Sequence, residues 1–247
     1  MNSNNSIDER IVTVIKRLQN LNSLQSFYLA GGTSLSLRFN HRESIDIDLF
    51  CEKTVGIQGY KVIEEEIKMA FPNSLFYLDY PVKKSDELIF MRFTLAFDNF
   101  HIKVEILQAF KLLYPIEIFE DIRMASVNDV GVFKIESIAN RYALKDLFDL
   151  SYISEKISLE KLLNSYNEKK QLYLKEGIKT IFHYDNKVCP FIDPISLIDN
   201  KTGDPHLPFH SQPNLIRGVD RKVIIYHISN WKIKVKSEIK RRIAKSK

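Results

Sequence analysis

The sequence predicts an α/β (α+β) fold, in which a mixed sheet with flanking helices is followed by a helical C-terminal part. Up to about residue 124, short apolar segments typical of strands alternate with helical patterns. Beyond that point, apolar residues recur at helical spacing only. The 247 residues are therefore divided into an α/β core, residues 1–124, and a helical domain, residues 125–247.

The elements of the first part follow from the spacing of apolar residues. Residues 7–24 place them three and four apart, as on the buried face of a helix. SFYLAGG reads as a short strand that ends in a glycine turn, and a helix begins at Thr33. SIDIDLFC alternates strictly, residues 58–70 match an amphipathic helix, and three aromatic-rich strands lie within residues 73–110.

The second part is predicted to be helical. Residues 127–155 and 158–174 have helical patterns, and a last helix covers about residues 222–245. Five of the eight prolines lie within residues 188–213. Because proline lacks an N–H donor, this stretch is predicted to be an irregular loop.

Composition narrows the class of protein. With 45% hydrophobic and 27% charged residues, the chain has the composition of a soluble globular protein. It lacks the run of about 18 apolar residues that spans a membrane, and its first residues do not resemble a secretory signal. Cys51 and Cys189 have no metal or redox spacing. We therefore expect a cytoplasmic protein without a membrane partner.

The net charge of +5 is concentrated near the C-terminus. Residues 217–247 contain eleven Lys or Arg against two Asp or Glu. This excess favours association with a polyanion such as RNA. The alternative is a solvated terminal helix that only keeps the protein soluble.

Two aspartates alternate with apolar residues in SIDIDLFC. In a strand, Asp46 and Asp48 project from one face about 7 Å apart and repel each other. Mg²⁺, or Mn²⁺, relieves such repulsion and keeps positions for phosphate oxygens. The pair is a candidate metal site; the alternative is a solvated strand face without a metal.

A glycine pair stands between the first strand and the next helix. Gly31 and Gly32 let the backbone approach a phosphate, and the helix N-terminus offers free N–H groups. Thr33 and Ser34 add hydroxyl donors. The alternative is an ordinary turn with a Thr or Ser cap.

A third carboxylate is needed on a neighbouring strand if two metal ions are to be held. Glu105 lies between Val104 and Ile106, where a buried carboxylate needs a partner. That partner is a metal cluster or, alternatively, Lys103 on a solvated face.

Together these motifs resemble the nucleotidyltransferase superfamily, in which a glycine pair precedes D-x-D and a lone acid follows. YLAGGTSLSLRFNHRESIDIDLF is more closely similar to the AbiEii/AbiGii toxin family, through G-G-T-x-L and then R-x-S-x-D-x-D. The resemblance covers residues 25–155, although the glycine that often follows the arginine of the downstream signature is missing. In FKIESIANRYALKDLFDL that signature is matched by Lys134, Arg141, Lys145, Asp146 and Asp149.

The resemblance implies the nucleotidyltransferase fold and transfer of a nucleotide from a nucleoside triphosphate to an acceptor hydroxyl. In characterised relatives the acceptor is tRNA, within a bacterial toxin–antitoxin or phage-defence system, so a cognate antitoxin protein would be a separate partner. The metal ligands would be Asp46, Asp48 and Glu105, which are catalytic together with Lys134 and Asp146. The nucleotide-binding residues would be Gly31, Gly32, Thr33, Ser34, Lys134, Arg141 and Lys145.

The basic residues of the downstream signature have a physical rationale of their own. Lys134, Arg141 and Lys145 are seven and four residues apart, so on a continuous helix they share one face that could contact triphosphate oxygens. Asp146 and Asp149 could hold these cations in place. The alternative is a helix surface with i,i+4 salt bridges.

Two other functions are compatible with these motifs. A nucleotidyltransferase for small cationic substrates would need an acidic cleft, which the basic C-terminus disfavours. A non-catalytic RNA-binding module on the same fold is disfavoured because all three carboxylates are present.

Overall fold

A seven-stranded mixed sheet forms the centre of the molecule. The computed structural model describes residues 6–140, 143–181, 188–198 and 216–245. The strands are β1 (Tyr28–Leu29), β2 (Asp46–Phe50), β3 (Leu75–Lys83), β4 (Ile89–Phe97), β5 (Phe100–Leu107), β6 (Glu117–Phe119) and β7 (Ile122–Met124). Their order across the sheet is β3-β4-β5-β2-β1-β7-β6.

Seven α-helices accompany this sheet in the described ranges. Short 3₁₀ turns occur at Asn22–Leu24 and Pro194–Leu197. Asp8 and Ser158 cap two of the helices, because their side chains accept a hydrogen bond from a backbone N–H of the first turn. The helices are α1 (Glu9–Gln19), α2 (Gly31–Phe39), α3 (Gly56–Ala70), α4 (Val127–Asn140), α5 (Leu144–Lys156), α6 (Leu159–Glu176) and α7 (Arg221–Lys245).

The pairing of β2 determines which polar residues meet. β2 runs antiparallel to β1 and parallel to β5. The parallel register places Asp46 opposite Lys103 and Asp48 opposite Glu105. Charged side chains of two adjacent strands therefore lie side by side.

Two hydrophobic cores cover the two faces of the sheet. Ile47 and Leu49 of β2 belong to the core that includes α1 and α3. Phe50 points the other way, into the core formed with the helices that follow residue 125. Because side chains alternate along a strand, Asp46 and Asp48 share the face of Phe50. The aspartates therefore face the helical half of the protein.

The predicted α/β fold is confirmed, and each segment predicted as a strand or a helix contains such an element. The sequence patterns missed β6 and β7, which have three residues each and are too short for an alternation to be recognised. Beyond residue 125, the described part of the chain contains no strand. The division into two domains stays a prediction.

The helical pattern over residues 127–155 is not one helix. α4 ends at Asn140 and α5 begins at Leu144. The prediction of a continuous helix with one basic face is therefore wrong. Arg141 lies outside the described residues.

Of the predicted proline-rich loop, residues 188–198 are described and contain a 3₁₀ turn, while residues 199–213 lie outside the described residues. Among the helices that the structure describes, none combines the length and the apolar character needed to cross a membrane.

Candidate active site

Three carboxylates lie together on the face of the sheet that is turned toward the helices. Asp46 and Asp48 come from β2 and Glu105 from β5. All three are only partly exposed, whereas Ile47 and Leu49 between and beyond the aspartates are fully buried. The strict alternation of this segment therefore separates the ionic face of the strand from its apolar face.

Two lysines approach these carboxylates. Lys103 Nζ lies 3.0 Å from Glu105 Oε1 and 3.7 Å from Asp46 Oδ2. Lys145 Nζ lies 3.8 Å from the same oxygen of Asp46. The ion pair of Lys103 with Glu105, which the sequence left as an alternative to a metal, is thus formed in this structure.

Repulsion between the carboxylates is strong. Burial and the negative charge of Glu105 raise the pKa of Asp48 to about 7. Burial alone would lower the pKa of Lys103, but Glu105, Asp46 and Asp48 together raise it. The carboxylate cluster thus favours any cation that comes close to it.

The donor set suits a hard divalent cation. Carboxylate oxygens are the ligands that Mg²⁺ and Mn²⁺ prefer, and a divalent ion would offset the negative charge that Asp46, Asp48 and Glu105 bring together. In the described ranges, no group of three His, Cys, Asp or Glu side chains has its ligand atoms arranged so that it could hold a metal ion without moving. Asp46, Asp48 and Glu105 are the residues that would hold the ion.

The glycine pair is packed directly against this cluster. Gly31 begins α2 with φ +64°, in the left-handed region, and a Cβ on it would lie 1.8 Å from Asp48 Oδ2. The backbone N–H of Ala30 donates to the carbonyl oxygen of Asp48 at 2.8 Å. Position 31 therefore requires glycine both for its backbone conformation and for the space that Asp48 occupies.

Gly31→Ala is expected to lower both stability and nucleotide binding, because the new methyl group must displace the Asp48 carboxylate. Gly177→Ala is a matched control, since Gly177 has φ +65° but no atom within 4 Å of its added Cβ. The control should lose only the conformational term, about 1–2 kcal/mol. Denaturant unfolding and nucleotide titration measure the difference, and equal losses in the two variants would contradict the steric argument.

The hydroxyl groups beside the glycines are engaged locally. Thr33 Oγ1 donates to the carbonyl oxygen of Asp46 and lies 2.9 Å from Ser44 Oγ. Ser34 Oγ donates to the carbonyl oxygen of Gly31 at 2.9 Å. These bonds join the loop to β2. The backbone N–H groups of the first turn of α2 are the donors that suit a phosphate here.

A second ionic cluster lies between α2 and the helical half, centred on Asp149. Its carboxylate accepts from Arg42 Nε at 2.6 Å and Arg42 Nη2 at 2.8 Å, and it pairs with Lys134 Nζ at 2.8 Å. His41 Nε2 lies 2.8 Å from the same carboxylate. Burial alone would raise the pKa of Asp149, but Arg42 and Lys134 hold it well below its usual range.

The two clusters are connected. The Arg42 guanidinium lies beneath the glycine pair, where a Cβ on Gly32 would be 2.2 Å from Arg42 Nη2. Lys134 Nζ also pairs with Asp146 Oδ1 at 2.5 Å. The buried side chains of Arg42 and Lys134 therefore lie next to the glycine loop and the carboxylates.

Comparison with known proteins identifies the family. The family model described as nucleotidyl transferase AbiEii toxin, type IV TA system, matches residues 14–206. The chain belongs to the AbiEii family. An uncharacterized protein of Aquifex aeolicus (strain VF5), aq_aa25, is 27% identical to this AbiEii chain over 142 residues. The matched residues make up 58% of this chain. The match covers 64% of the relative's own length, which is less than two thirds.

A solved structure supports the same fold. MenT4, the nucleotidyltransferase toxin Rv2826c from Mycobacterium tuberculosis H37Rv, superposes with a TM-score of 0.55 at 12% identity. The match covers 95% of this chain and 84% of MenT4. The AbiEii chain therefore has the nucleotidyltransferase toxin fold, as its motifs predicted.

The structure of this AbiEii chain brings most of the predicted site residues together. Gly31 packs against Asp48, and Lys145 reaches Asp46 from α5. Lys134 and Asp146 form the buried part of the adjoining cluster and are 7% and 0% exposed, respectively. Their catalytic roles stay a prediction, as does the nucleotide-binding role of Arg141.

Sequence reasoning assigned no role to His41 and Arg42, and it expected Asp149 only to hold the basic residues of its signature in place, as it does for Lys134. Arg42 and Asp149 were part of the quoted AbiEii signatures, so the signal was present. What was missing was their contact, since 107 residues separate them in the chain. His41 carried no signal beyond its position next to Arg42.

Proposed function

We propose that this AbiEii chain transfers a nucleoside monophosphate from a nucleoside triphosphate to an acceptor hydroxyl on tRNA. The observation that carries the proposal is the contact of Gly31 with Asp48, beside Asp46 and Glu105. This arrangement combines a backbone suited to phosphates with three carboxylates suited to a divalent metal. A cytoplasmic location and a cognate antitoxin are part of the same proposal.

In this proposal the acceptor oxygen forms a bond to the α-phosphorus, the bond from that phosphorus to the bridging oxygen breaks, and pyrophosphate leaves. Glu105 helps to take up the proton of the attacking hydroxyl. Asp46, Asp48 and Glu105 would hold Mg²⁺ or Mn²⁺, which when bound would supply positive charge to the phosphate oxygens. Lys145, at the edge of the carboxylate face, is in place to bind the triphosphate.

The C-terminal helix supports an RNA acceptor. α7 contains nine Lys or Arg residues and one acidic residue, Glu238. Glu238 is paired with Arg241 and Arg242, so the helix keeps a large positive excess. Lysine and arginine clusters supply sequence-independent affinity for a phosphate backbone, which weakens as salt is added. α5, which carries Asp146, packs against α7.

The test is incubation of the purified protein with Mg²⁺, each α-labelled nucleoside triphosphate in turn, and total tRNA. We expect label in the RNA from at least one nucleotide, and none with Asp46→Ala. Label transfer to a small molecule but to no RNA would contradict the tRNA acceptor. RNA binding without any turnover, unchanged in Asp46→Ala, would indicate a binding module instead.

A further inference from the structure

We propose that Lys103 is a built-in counter-ion of the carboxylate cluster, and that a divalent metal enters the site by displacing its ammonium group. This inference rests on the proposed function, because it concerns how the metal is admitted. Lys103 Nζ contacts Glu105 at 3.0 Å and lies 3.7 Å from Asp46, so it joins two of the three carboxylates that would hold the ion.

The position of Lys103 in the sheet places it there. It stands opposite Asp46 in the parallel pair of β2 and β5, two residues before Glu105 on the same strand. Residues two apart on a strand share a face, so the lysine side chain emerges among the carboxylates. The contact of Lys103 with the carboxylates therefore follows from its position in the strand.

Lys103 differs from the other cations near the site. Its side chain is 32% exposed, which leaves it a path to solvent. The side chain of Lys134 is 8% exposed and is held between Asp146 and Asp149. Lys145 is similarly exposed at 29% and lies 3.8 Å from Asp46. Lys103 thus bridges two of the carboxylates and has a path along which its ammonium group can leave them.

The charges explain why metal and lysine compete. Asp46, Asp48 and Glu105 carry up to three negative charges, and a divalent ion binds carboxylate oxygens at about 2.0–2.1 Å, closer than an ammonium group. An ammonium that stays among the same oxygens would repel the incoming ion. Metal binding therefore requires the Lys103 ammonium group to move away from Glu105 and Asp46.

The experiment is calorimetric titration of the full chain with Mn²⁺ alone, without nucleotide, on the wild type and on Lys103→Met. We expect the variant to bind Mn²⁺ about five- to tenfold more tightly, since a competing positive charge has been removed. Lys61→Met, an exposed lysine on α3, is the matched control and should leave the affinity unchanged. Lys103→Arg keeps the charge and should not gain affinity.

Thermal unfolding provides a second readout and verifies that the variants fold. Because Lys103→Met should bind Mn²⁺ more tightly, Mn²⁺ should raise the unfolding temperature of this variant by more than it raises that of the wild type. Equal Mn²⁺ affinity in wild type and Lys103→Met would overturn the role of Lys103 while leaving the proposed function intact. Absence of Mn²⁺ binding to both proteins would overturn this role and the metal dependence of the proposed function together.

Discussion

Asp48→Asn is expected to lower nucleotide transfer by about 10³-fold while leaving the folded protein at least as stable. Asparagine keeps the shape of the side chain beside Gly31 but removes the charge that a metal requires. Because the pKa of Asp48 is raised to about 7, its ionisation destabilises the fold as the pH rises toward that value. The variant lacks this ionisation, so its free energy of unfolding should not show the decrease that the ionisation of Asp48 causes in the wild type as the pH rises from about 4 through about 7.

The measurements are initial rates of label transfer and urea unfolding at pH 6 and pH 8. Asp98→Asn is a suitable control, since Asp98 is an exposed turn residue with φ +50°, a conformation that asparagine adopts readily. It should change neither rate nor stability. A rate of Asp48→Asn within tenfold of the wild type would contradict a metal-binding role for this residue.

Asp149→Ala is expected to lower the free energy of unfolding by about 3–5 kcal/mol. The substitution leaves Arg42 buried without its bidentate partner and removes one of the two aspartates that pair with Lys134. A buried charge without compensation accounts for most of that loss. The glycine loop should also lose its support, because the Arg42 guanidinium lies beneath Gly32.

Guanidinium chloride unfolding measures this effect, with Asp79→Ala as the comparison. Asp79 also pairs with an arginine, Arg92, but both side chains are partly exposed to solvent. Such a pair contributes about 1 kcal/mol or less. Similar losses in the two variants would mean that the Asp149 cluster is solvated and does not organise the site.

Local patterns were sufficient to predict much of the fold and part of the site. The alternation of Ile47 and Leu49 with Asp46 and Asp48 specified one ionic and one apolar strand face, because a strand has a period of two residues. The pattern around Glu105 specified a strand but not its neighbour, and only the register revealed that the carboxylate stands opposite Asp48.

What could not be predicted depends on contacts between distant parts of the chain. The pairing of Arg42 with Asp149 is set by the packing of α2 and α5. The spacing of apolar residues within one segment does not predict how two distant segments pack. The end of α4 at Asn140 was hidden because residues on both sides of the break keep helical spacing. Lys103 was ambiguous for a different reason, since a lysine beside a glutamate has the same pattern with or without a metal.

The salt bridge between Arg42 and Asp149 also bears on how this protein can be divided. Arg42 is buried in the first half of the chain and its bidentate partner Asp149 lies in the helical half, so the first half alone lacks the carboxylate that neutralises this arginine. A fragment ending at residue 124 would carry all three carboxylates and yet expose an arginine that normally supports the loop. The helical half therefore supplies the carboxylate that holds Arg42 next to the glycine loop, and recombination between homologues should exchange the two halves only as a matched pair.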